Sequence, residues 1–255
     1  MVSISDDTKT IRAVERSLAI VETLRELEAA TVGEVAAELG ISKSSAHSHL
    51  ATLQREGYVV RRGDRHELSL TFLSHGEFVR GQVPLFDVIK RYARMLADET
   101  GENVSFIVEE QGECVFVYCD NRNHELPDAR AGTRVPIHCM SAGKAILAEL
   151  PDERIQQILR ATSLDEFTDN TIVDEAELFD EINEIRERGF AINRGERIER
   201  QQSVAVAVTD GDSRLIGALA VVGPKHRLKE DRLSSEIPDA LLVAAEKIEL
   251  KSLSG

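Results

Sequence analysis

The sequence has no run of 18 apolar residues and no positively charged, apolar leader before its first predicted helix. A membrane-spanning helix needs about 20 apolar residues, so we expect neither insertion nor export and predict a cytoplasmic protein. Cysteine is also scarce, and three residues without motif spacing fit a reducing compartment better than a disulfide framework. With 255 residues, 42% of them hydrophobic, the chain is long enough for about two domains.

The clearest pattern lies in two short helices near the N-terminus. Thr31 can cap a helix over residues 32–39, and Gly40 supplies the left-handed residue that ends it. Ser42 can then cap a second helix over residues 43–56. Two helices joined by a tight turn make a helix-turn-helix.

A hairpin pattern follows the helix-turn-helix directly. Residues 58–60 and 66–70 are strand-like, and the basic segment 61–65 between them is predicted to be the turn. Residues 11–27 precede the motif, and Val14, Leu18, Val21 and Leu24 recur there at helical spacing, which predicts a supporting first helix. The whole pattern predicts a winged helix-turn-helix that binds DNA.

The second helix of the motif has a packed face and an exposed end. Ala46, Leu50 and Leu53 recur at helical spacing and form the packed stripe. In helix-turn-helix proteins the exposed N-terminal end enters the major groove, while wing arginines contact phosphates or the minor groove. A solvated turn remains the alternative for the arginines, and a half-buried structural histidine is favoured for His49. Including the helix caps, the candidate DNA-binding residues are Thr31, Ser42, Lys43, Ser44, Ser45, His47, Ser48, Arg61, Arg62 and Arg65.

The rest of the chain predicts a second domain. We assign residues 1–10 to a disordered N-terminus, 11–70 to the winged helix-turn-helix, 71–83 to a linker and 84–255 to the second domain. Helical patterns alternate there with strand-like runs joined by short turns. The predicted fold class is therefore α+β.

Acidic residues outnumber basic ones, and the net charge is -14. Residues 1–75 carry 9 basic and 11 acidic residues against 22 and 34 in the remainder, so the acid surplus belongs to the second domain. The 31 basic residues comprise only 8 lysines beside 23 arginines. An acidic, lysine-poor surface is typical of proteins from salt-loaded cytoplasms such as those of halophilic archaea. The Debye length is about 3 Å at 1 M salt, so in that setting DNA binding would rest on base contacts and dimerisation.

Several short motifs together carry a family resemblance. They are residues 12–18, Lys43-Ser44-Ser45-Ala46-His47, Pro136-Ile137-His138, Ser141-Ala142-Gly143-Lys144-Ala145, Thr171-Ile172 and Gly189-Phe190-Ala191. With these motifs the chain resembles the IclR family of transcriptional regulators over nearly its whole length. The resemblance implies a winged helix-turn-helix joined to a GAF-like effector-binding domain. It also implies a homodimer or homotetramer that binds a palindromic operator in double-stranded DNA and controls catabolic genes in response to a small metabolite, such as a sugar, sugar acid or other carboxylate.

The resemblance also implies an effector pocket. Carried over to this sequence, its residues are Ser141, Ala142, Asn193, Gln201, Ser203, Ala220 and Val222. The turn at residues 141–143 opens a helix, and a helix N-terminus can hold a carboxylate. The sequence departs from the family pattern at Asn193, where an acid is usual, at Ser203, where cysteine is usual, and at Ala220 and Val222, where serine is frequent.

Three other interpretations compete with a regulator. Ser141 and Lys144 match the Ser-x-x-Lys pattern of serine acyl-transfer enzymes, but the companion Lys-Thr-Gly is missing. Cys114, Cys119 and Cys139 with His138 could form a zinc site, although Cys114 and Cys119 point to opposite faces of a regular strand. A winged module that contacts protein rather than DNA is the third. We predict no enzyme activity, no metal and no cofactor.

Overall fold

The computed structural model describes residues 9–122 and 129–253. Of the predicted disordered N-terminus, residues 1–10, only Lys9 and Thr10 are among them. The sequence also predicts a loop over residues 121–131, part of which lies outside the described residues. The described chain forms two compact units that divide between Gln82 and Val83.

The N-terminal unit is a helix-turn-helix with a small antiparallel sheet in the strand order β1-β3-β2. Its core contains buried side chains from all three helices of the motif, among them Leu24, Val35 and Leu50. In chain order its elements are α1 (Arg12–Glu26), β1 (Ala30–Thr31), α2 (Val32–Glu38), α3 (Lys43–Arg55), β2 (Val59–Arg62), β3 (Arg65–Leu68) and α4 (Thr71–Gly81).

Local capping determines where the two short helices begin and end. Thr31 and Glu34 form a capping box, in which each side chain accepts a hydrogen bond from the other residue's backbone N–H. Gly40 adopts φ 60° after α2, a conformation that glycine reaches without strain. The Ser42 hydroxyl accepts from the Ser45 N–H at the start of α3. The predicted helix-turn-helix is therefore present with the predicted caps.

The predicted packing face of α1 is partly wrong. Leu24 is buried as expected, but Val14 is 52% and Leu18 61% exposed. Ile20 and Thr23 are buried with Leu24 in the second half of the helix. The three-helix unit is too small to cover the first turns of α1, so its periodic stripe extends beyond the core.

The wing also differs in detail from the prediction. Its turn contains only Gly63 and Asp64, so Arg61, Arg62 and Arg65 belong to the strands and not to the turn. After the wing, the segment predicted as a linker contains α4, which has no buried residue.

Two contacts fix the first turns of α4 to the winged unit. The Thr71 hydroxyl donates to the Gly57 carbonyl at 3.0 Å. The His75 ring stacks on Tyr58 with centroids 5.7 Å apart.

The C-terminal unit is built on a six-stranded antiparallel sheet in the order β6-β5-β4-β9-β8-β7. The fold is α+β, as predicted. In chain order its elements are α5 (Phe86–Thr100), β4 (Asn103–Glu110), β5 (Glu113–Asp120), β6 (Arg134–Pro136), α6 (Ser141–Ala148), α7 (Asp152–Ala161), α8 (Glu175–Arg188), β7 (Ala191–Asn193), β8 (Gln201–Thr209), β9 (Leu215–Pro224), a π-helical turn (Arg232–Glu236) and α9 (Ile237–Ser252).

Helices cover both faces of this sheet, and a separate core lies under each layer. Side chains of α6, α7 and α8, such as Ile146 and Ile182, pack on one face. Side chains of α5 and α9, such as Ile89 and Leu241, pack on the other. From its spacing, the sequence predicts Met95 in the apolar face of α5, but Met95 is 48% exposed, and the buried Ala93 and Ala97 complete that face instead.

A β-bulge corrects the geometry assumed for two cysteines. The register between β4 and β5 shifts at Phe106 and Ile107, so β5 contains one additional residue. Cys114 and Cys119 consequently pack on the same core rather than on opposite faces. Even so, no group of three or more metal-ligating side chains occurs within residues 9–122 and 129–253. The helices of these two ranges are also too short or too polar to cross a membrane.

Candidate DNA-binding surface and effector pocket

The N-terminal end of α3 is the exposed end of the helix-turn-helix. Ala46 and Leu50 are 0% and 1% exposed, so they fix the inner face of the helix. On the outer face Lys43, Ser44, His47 and Ser48 are exposed, and Ser45 is partly buried. Two turns of α3 therefore present an ammonium group, an imidazole and small hydroxyls, which are suited to base edges and phosphates.

Several hydroxyl groups of this surface already have a partner within the helix. Ser42 Oγ caps α3, and Ser48 Oγ donates to the Ser44 carbonyl at 3.0 Å. Thr31 Oγ1 accepts from the Glu34 N–H at 3.2 Å in the capping box. The backbone hydrogen bond from Thr31 is also the main cause of the lowered pKa of Glu34. At this end of the helix, the longer side chains of Lys43 and His47 are therefore better suited to reach a base or a phosphate.

The three wing arginines differ in their surroundings. Arg65 Nη2 lies 3.2 Å from Glu34 Oε2 and donates to the Ala29 carbonyl, so this side chain turns back toward α2. Arg62 pairs with Glu67 at 3.0 Å but is 75% exposed. Arg61 Nε donates to the Gly63 carbonyl. Exposed ion pairs contribute about 0–1 kcal/mol, so Arg62 can exchange its partner for a phosphate at little cost.

His66, on the central wing strand, is a buried histidine that the sequence did not single out. Its side chain is 6% exposed. Within the described chain, its Nδ1 atom has no hydrogen-bond partner. Burial is the main cause of its lowered pKa. A hydrogen bond with the Ala30 backbone opposes this effect, and the nearby charges of Arg61 and His47 add to it.

A cavity of about 260 Å³ lies in the C-terminal unit on the sheet face that carries α6, α7 and α8. Strands β4, β5, β7, β8 and β9 all contribute to it. Its lining residues are Ser105, Phe116, Ala129, Met140, Asn193, Arg197, Ile198, Gln201, Gln202, Ser203 and Val222.

The predicted effector residues divide into two groups. Asn193, Gln201, Ser203 and Val222 line the cavity. The remaining three are buried beside it without lining it, with exposures of 1%, 0% and 2% for Ser141, Ala142 and Ala220.

The segment predicted as a small-residue turn is the first turn of α6, and two contacts hold it in place. Ser141 Oγ lies 2.6 Å from Ser203 Oγ. A Cβ on Gly143 would lie 1.9 Å from the Ile137 carbonyl oxygen, so only glycine fits there.

Sequence reasoning missed three polar residues of the cavity, which are Ser105, Arg197 and Gln202. Among the described residues that line it, Arg197 alone carries a formal charge. Ser105 Oγ is buried without a hydrogen bond of normal geometry, although the Cys119 thiol interacts with it, and a thiol is a weak partner. Arg197 lies between predicted strands and Ser105 within one, so neither belongs to a motif that spacing could reveal.

Lys144 has partners that argue against acyl transfer. Its Nζ atom donates to Glu196 Oε1 at 2.7 Å and to Glu181 Oε1 at 3.5 Å. Ser141 instead shares its hydrogen bond with Ser203. A serine nucleophile needs its base within hydrogen-bond reach, and here both groups are bound to other side chains.

Both units match known protein families. Residues 13–63 match the IclR helix-turn-helix domain. Residues 78–250 match the family described as Bacterial transcriptional regulator IclR C-terminal. The second match alone covers more than half of the chain.

Individual relatives align over most of their length. The HTH-type transcriptional regulator BhcR of Paracoccus denitrificans is 28% identical over 248 residues, which are 96% of this chain and 88% of that protein. The crystal structure of the Thermotoga maritima IclR protein is 26% identical with a TM-score of 0.79, covering 94% of this chain and 97% of the other. An IclR homologue from Microbacterium hydrocarbonoxydans, crystallised with 4-hydroxybenzoate, has 20% identity and a TM-score of 0.81 over 95% of this chain and all of that one.

Family and fold therefore agree. Proteins of this kind are DNA-binding regulators that respond to small molecules, and they are not enzymes. The chain belongs to the IclR family of transcriptional regulators.

Proposed function

We propose that this regulator binds a palindromic operator as a homodimer through α3 and the wing, and that a small organic acid in the cavity changes its affinity for DNA. The observation that carries the DNA-binding assignment is the exposed N-terminal end of α3, which presents Lys43 and His47, together with the exposed arginines of the wing. A recognition helix contacts bases through this end.

The residues that contact DNA can be tested with operator fragments selected from genomic DNA by the full-length protein. We expect the contact of Lys43 with DNA to contribute about 1.4 kcal/mol, so Lys43→Ala should weaken binding by about tenfold. Lys247→Ala changes another exposed lysine, on α9, and provides the matched control. Equal affinity of the two variants would contradict the assignment of α3.

Exposed apolar side chains support the homodimer. On α1 and the residue before it, Ile11, Val14 and Leu18 are 68%, 52% and 61% exposed. On α4, Phe78 and Val79 are 68% and 60% exposed. Apolar surface of this kind marks an interaction site, and a palindromic operator requires two recognition helices about 34 Å apart. A second copy of the chain is the occupant that meets both requirements.

The oligomeric state should respond to charge in this surface. Leu18→Lys places an ammonium group among the exposed apolar residues of α1, so it should shift the chain toward monomers in sedimentation equilibrium. Leu250→Lys makes the same change at an exposed leucine of α9, at 54% exposure, and is the control. Dimers or tetramers of undiminished stability in the first variant would contradict the proposed interface.

The lining of the cavity indicates the class of effector. Phe116, Met140, Ile198 and Val222 provide apolar walls, while Arg197 provides a positive charge. Apolar walls with a few polar groups are typical of sites for small organic ligands, and a guanidinium group favours a carboxylate. The relative crystallised with 4-hydroxybenzoate is an example of such a ligand in this fold.

Ligand charge is therefore the property to vary. Benzoate and 4-hydroxybenzoate should each raise the melting temperature of the wild-type protein, whereas the neutral benzamide should not. Arg197→Gln should remove the response to both acids. An equal response to acid and amide would contradict a role of Arg197 in binding the effector.

A further inference from the structure

A buried ion pair lies beside the effector cavity. Lys144 and Glu196 are 1% and 5% exposed, and Lys144 Nζ lies 2.7 Å from Glu196 Oε1. The nearest additional carboxylate, Glu181, lies 3.5 Å from the same nitrogen and is also held by Arg188 at 2.8 Å. Glu196 is therefore the main ion-pair partner of Lys144.

Glu196 lies in the loop that forms one wall of the cavity. The two residues after it, Arg197 and Ile198, line the cavity. Asn193 Oδ1 accepts from the backbone N–H groups of Gly195 and Glu196 at 2.9 and 3.0 Å. The Thr171 hydroxyl donates to the Glu196 carbonyl at 2.5 Å. Arg194, at the start of the loop, also pairs with Glu230 at 2.6 Å, but both of those side chains are exposed. Among the ion pairs described for this loop, the one between Lys144 and Glu196 is the buried one.

The energetics of the pair do not favour a role in global stability. Removing two charges from water costs several kcal/mol per ion before their attraction is counted, and apolar replacements of such pairs are often neutral or stabilising. Glu196 Oε2 is buried and accepts no hydrogen bond from the described residues. Burial raises the pKa of Glu196, an effect that Lys144 opposes. A buried ion pair with one carboxylate oxygen lacking a hydrogen bond therefore contributes little to global stability. Its main effect is to fix where its two side chains lie.

The same turn of α6 reaches a second wall of the cavity. Ser141 lies one turn before Lys144, and its hydroxyl contacts Ser203, a lining residue on β8. Gly143, between them, is packed against the Ile137 carbonyl. The N-terminal turn of α6 is thereby fixed to the sheet through Ser141 and to the loop through Lys144.

We propose that Lys144 and Glu196 are positioning residues, whose buried contact holds the loop over residues 194–200 so that Arg197 faces the effector cavity. The significance of the pair for effector binding rests on the proposed function. The anchoring of the loop does not, because it is a property of the protein without ligand.

Hydrogen–deuterium exchange of the full-length, ligand-free protein measures this anchoring directly. The double variant Lys144→Met/Glu196→Met removes both charges and leaves no lone buried ion. We expect exchange in peptides covering residues 194–200 to accelerate by about tenfold or more, because loss of the anchor increases local opening. Peptides from α8 and α9 should exchange as in the wild type, and the melting temperature should change little.

A second ion pair in the same unit provides the control. Arg154 on α7 and Glu109 on β4 lie 3.3 Å apart, and neither belongs to the loop, so Arg154→Met/Glu109→Met removes one charge of each sign elsewhere in the unit. If the first double variant does not fold, Glu196→Gln keeps an acceptor for Lys144 and should still accelerate exchange in the loop. Unchanged exchange at residues 194–200 in a folded variant would overturn the proposal. Acceleration of the same size throughout α6, α8 and the loop would also overturn it, because that result describes a general stability role.

A separate titration with benzoate distinguishes failure of the anchor from failure of the effector assignment. Loss of affinity in a folded double variant with a mobile loop supports the positioning role. Benzoate binding of equal affinity in the wild type and in that variant would overturn the link between the loop anchor and the cavity. Absence of benzoate binding by the wild type would count against the proposed effector class, while the exchange experiment would still decide the anchor.

Discussion

Ser141 and Ser203 lie with their hydroxyl oxygens 2.6 Å apart and are both buried, at 1% and 6% exposure. The contact joins the first turn of α6 to strand β8 at the edge of the effector cavity. The sequence predicts that the helix N-terminus at Ser141 can hold a ligand carboxylate, and in the structure the Ser141 hydroxyl is paired with Ser203. Among the described residues that line the cavity, the one with a formal charge is Arg197, in the loop that follows β7.

Removing one of these two hydroxyls should cost more than removing both. Ser141→Ala leaves Ser203 without its buried partner, which should lower the free energy of unfolding by about 1–3 kcal/mol. The double variant Ser141→Ala/Ser203→Ala should recover part of that loss, and urea unfolding of the four proteins gives the coupling energy. Strictly additive losses would show that the two hydroxyls do not interact.

A buried carboxylate stabilises the end of the C-terminal unit. Glu102 is 2% exposed and accepts from Arg227 at 2.9 Å and Arg232 at 3.0 Å. Glu102→Ala leaves both arginines without this partner, so we expect a loss of about 3–5 kcal/mol in the free energy of unfolding. The control, Glu110→Ala, removes an exposed partner of Arg134 and should cost about 1 kcal/mol or less. Equal losses in the free energy of unfolding for the two variants would show that burial of Glu102 does not increase its contribution to stability.

Two glycines should respond in opposite directions to alanine. At Gly143 the new Cβ would lie 1.9 Å from the Ile137 carbonyl oxygen, so Gly143→Ala should displace α6 and destabilise the C-terminal unit severely. At Gly76, inside α4, a Cβ meets no atom within 4 Å, and alanine should stabilise the helix by about 0.5–1 kcal/mol. Calorimetry of both variants checks the prediction, and a Gly143→Ala protein as stable as the wild type would contradict it.

The stability of the winged unit should depend on His66 in mild acid. Burial lowers the pKa of His66 below its ordinary value of 6.5. As the pH falls through 6.5, the unfolded chain binds a proton that the folded chain still refuses, so the free energy of unfolding falls. His66→Gln should reduce this loss, whereas His226→Gln, at an exposed position, should not. Melting curves between pH 7.5 and pH 5.5 provide the measurement, and parallel pH profiles for all three proteins would exclude His66 as the cause.

The sequence predicted best those features that depend on neighbours in the chain. Thr31, Gly40 and Ser42 act within three or four residues of themselves, so the limits of α2 and the start of α3 could be predicted from local chemistry. The packing of Val14 and Leu18 could not be predicted, because periodicity reveals a face of a helix without showing what covers it. The prediction that Cys114 and Cys119 point to opposite faces was wrong for a similar reason, because the sequence pattern does not reveal the bulge in β5.

The cavity shows the same limit at the level of the site. The family resemblance indicated Asn193 and Ser203, which occupy strand positions that the motif fixes. Arg197 and Ser105 are separated by about 90 residues in the sequence. They line the same cavity because β8, which follows the loop of Arg197, and β4 both flank β9 in the sheet. No local pattern encodes that proximity, so only the folded chain reveals it.

Sequencing of the genomic DNA bound by the tagged protein in its own cells tests the central claim most directly. The wild type and Lys43→Ala should be compared before and after a change of carbon source. We predict sharp wild-type peaks that share an inverted repeat, change in strength with one nutrient and disappear in the variant. Absence of enriched DNA under every condition, or identical peaks for both proteins, would contradict operator recognition through α3.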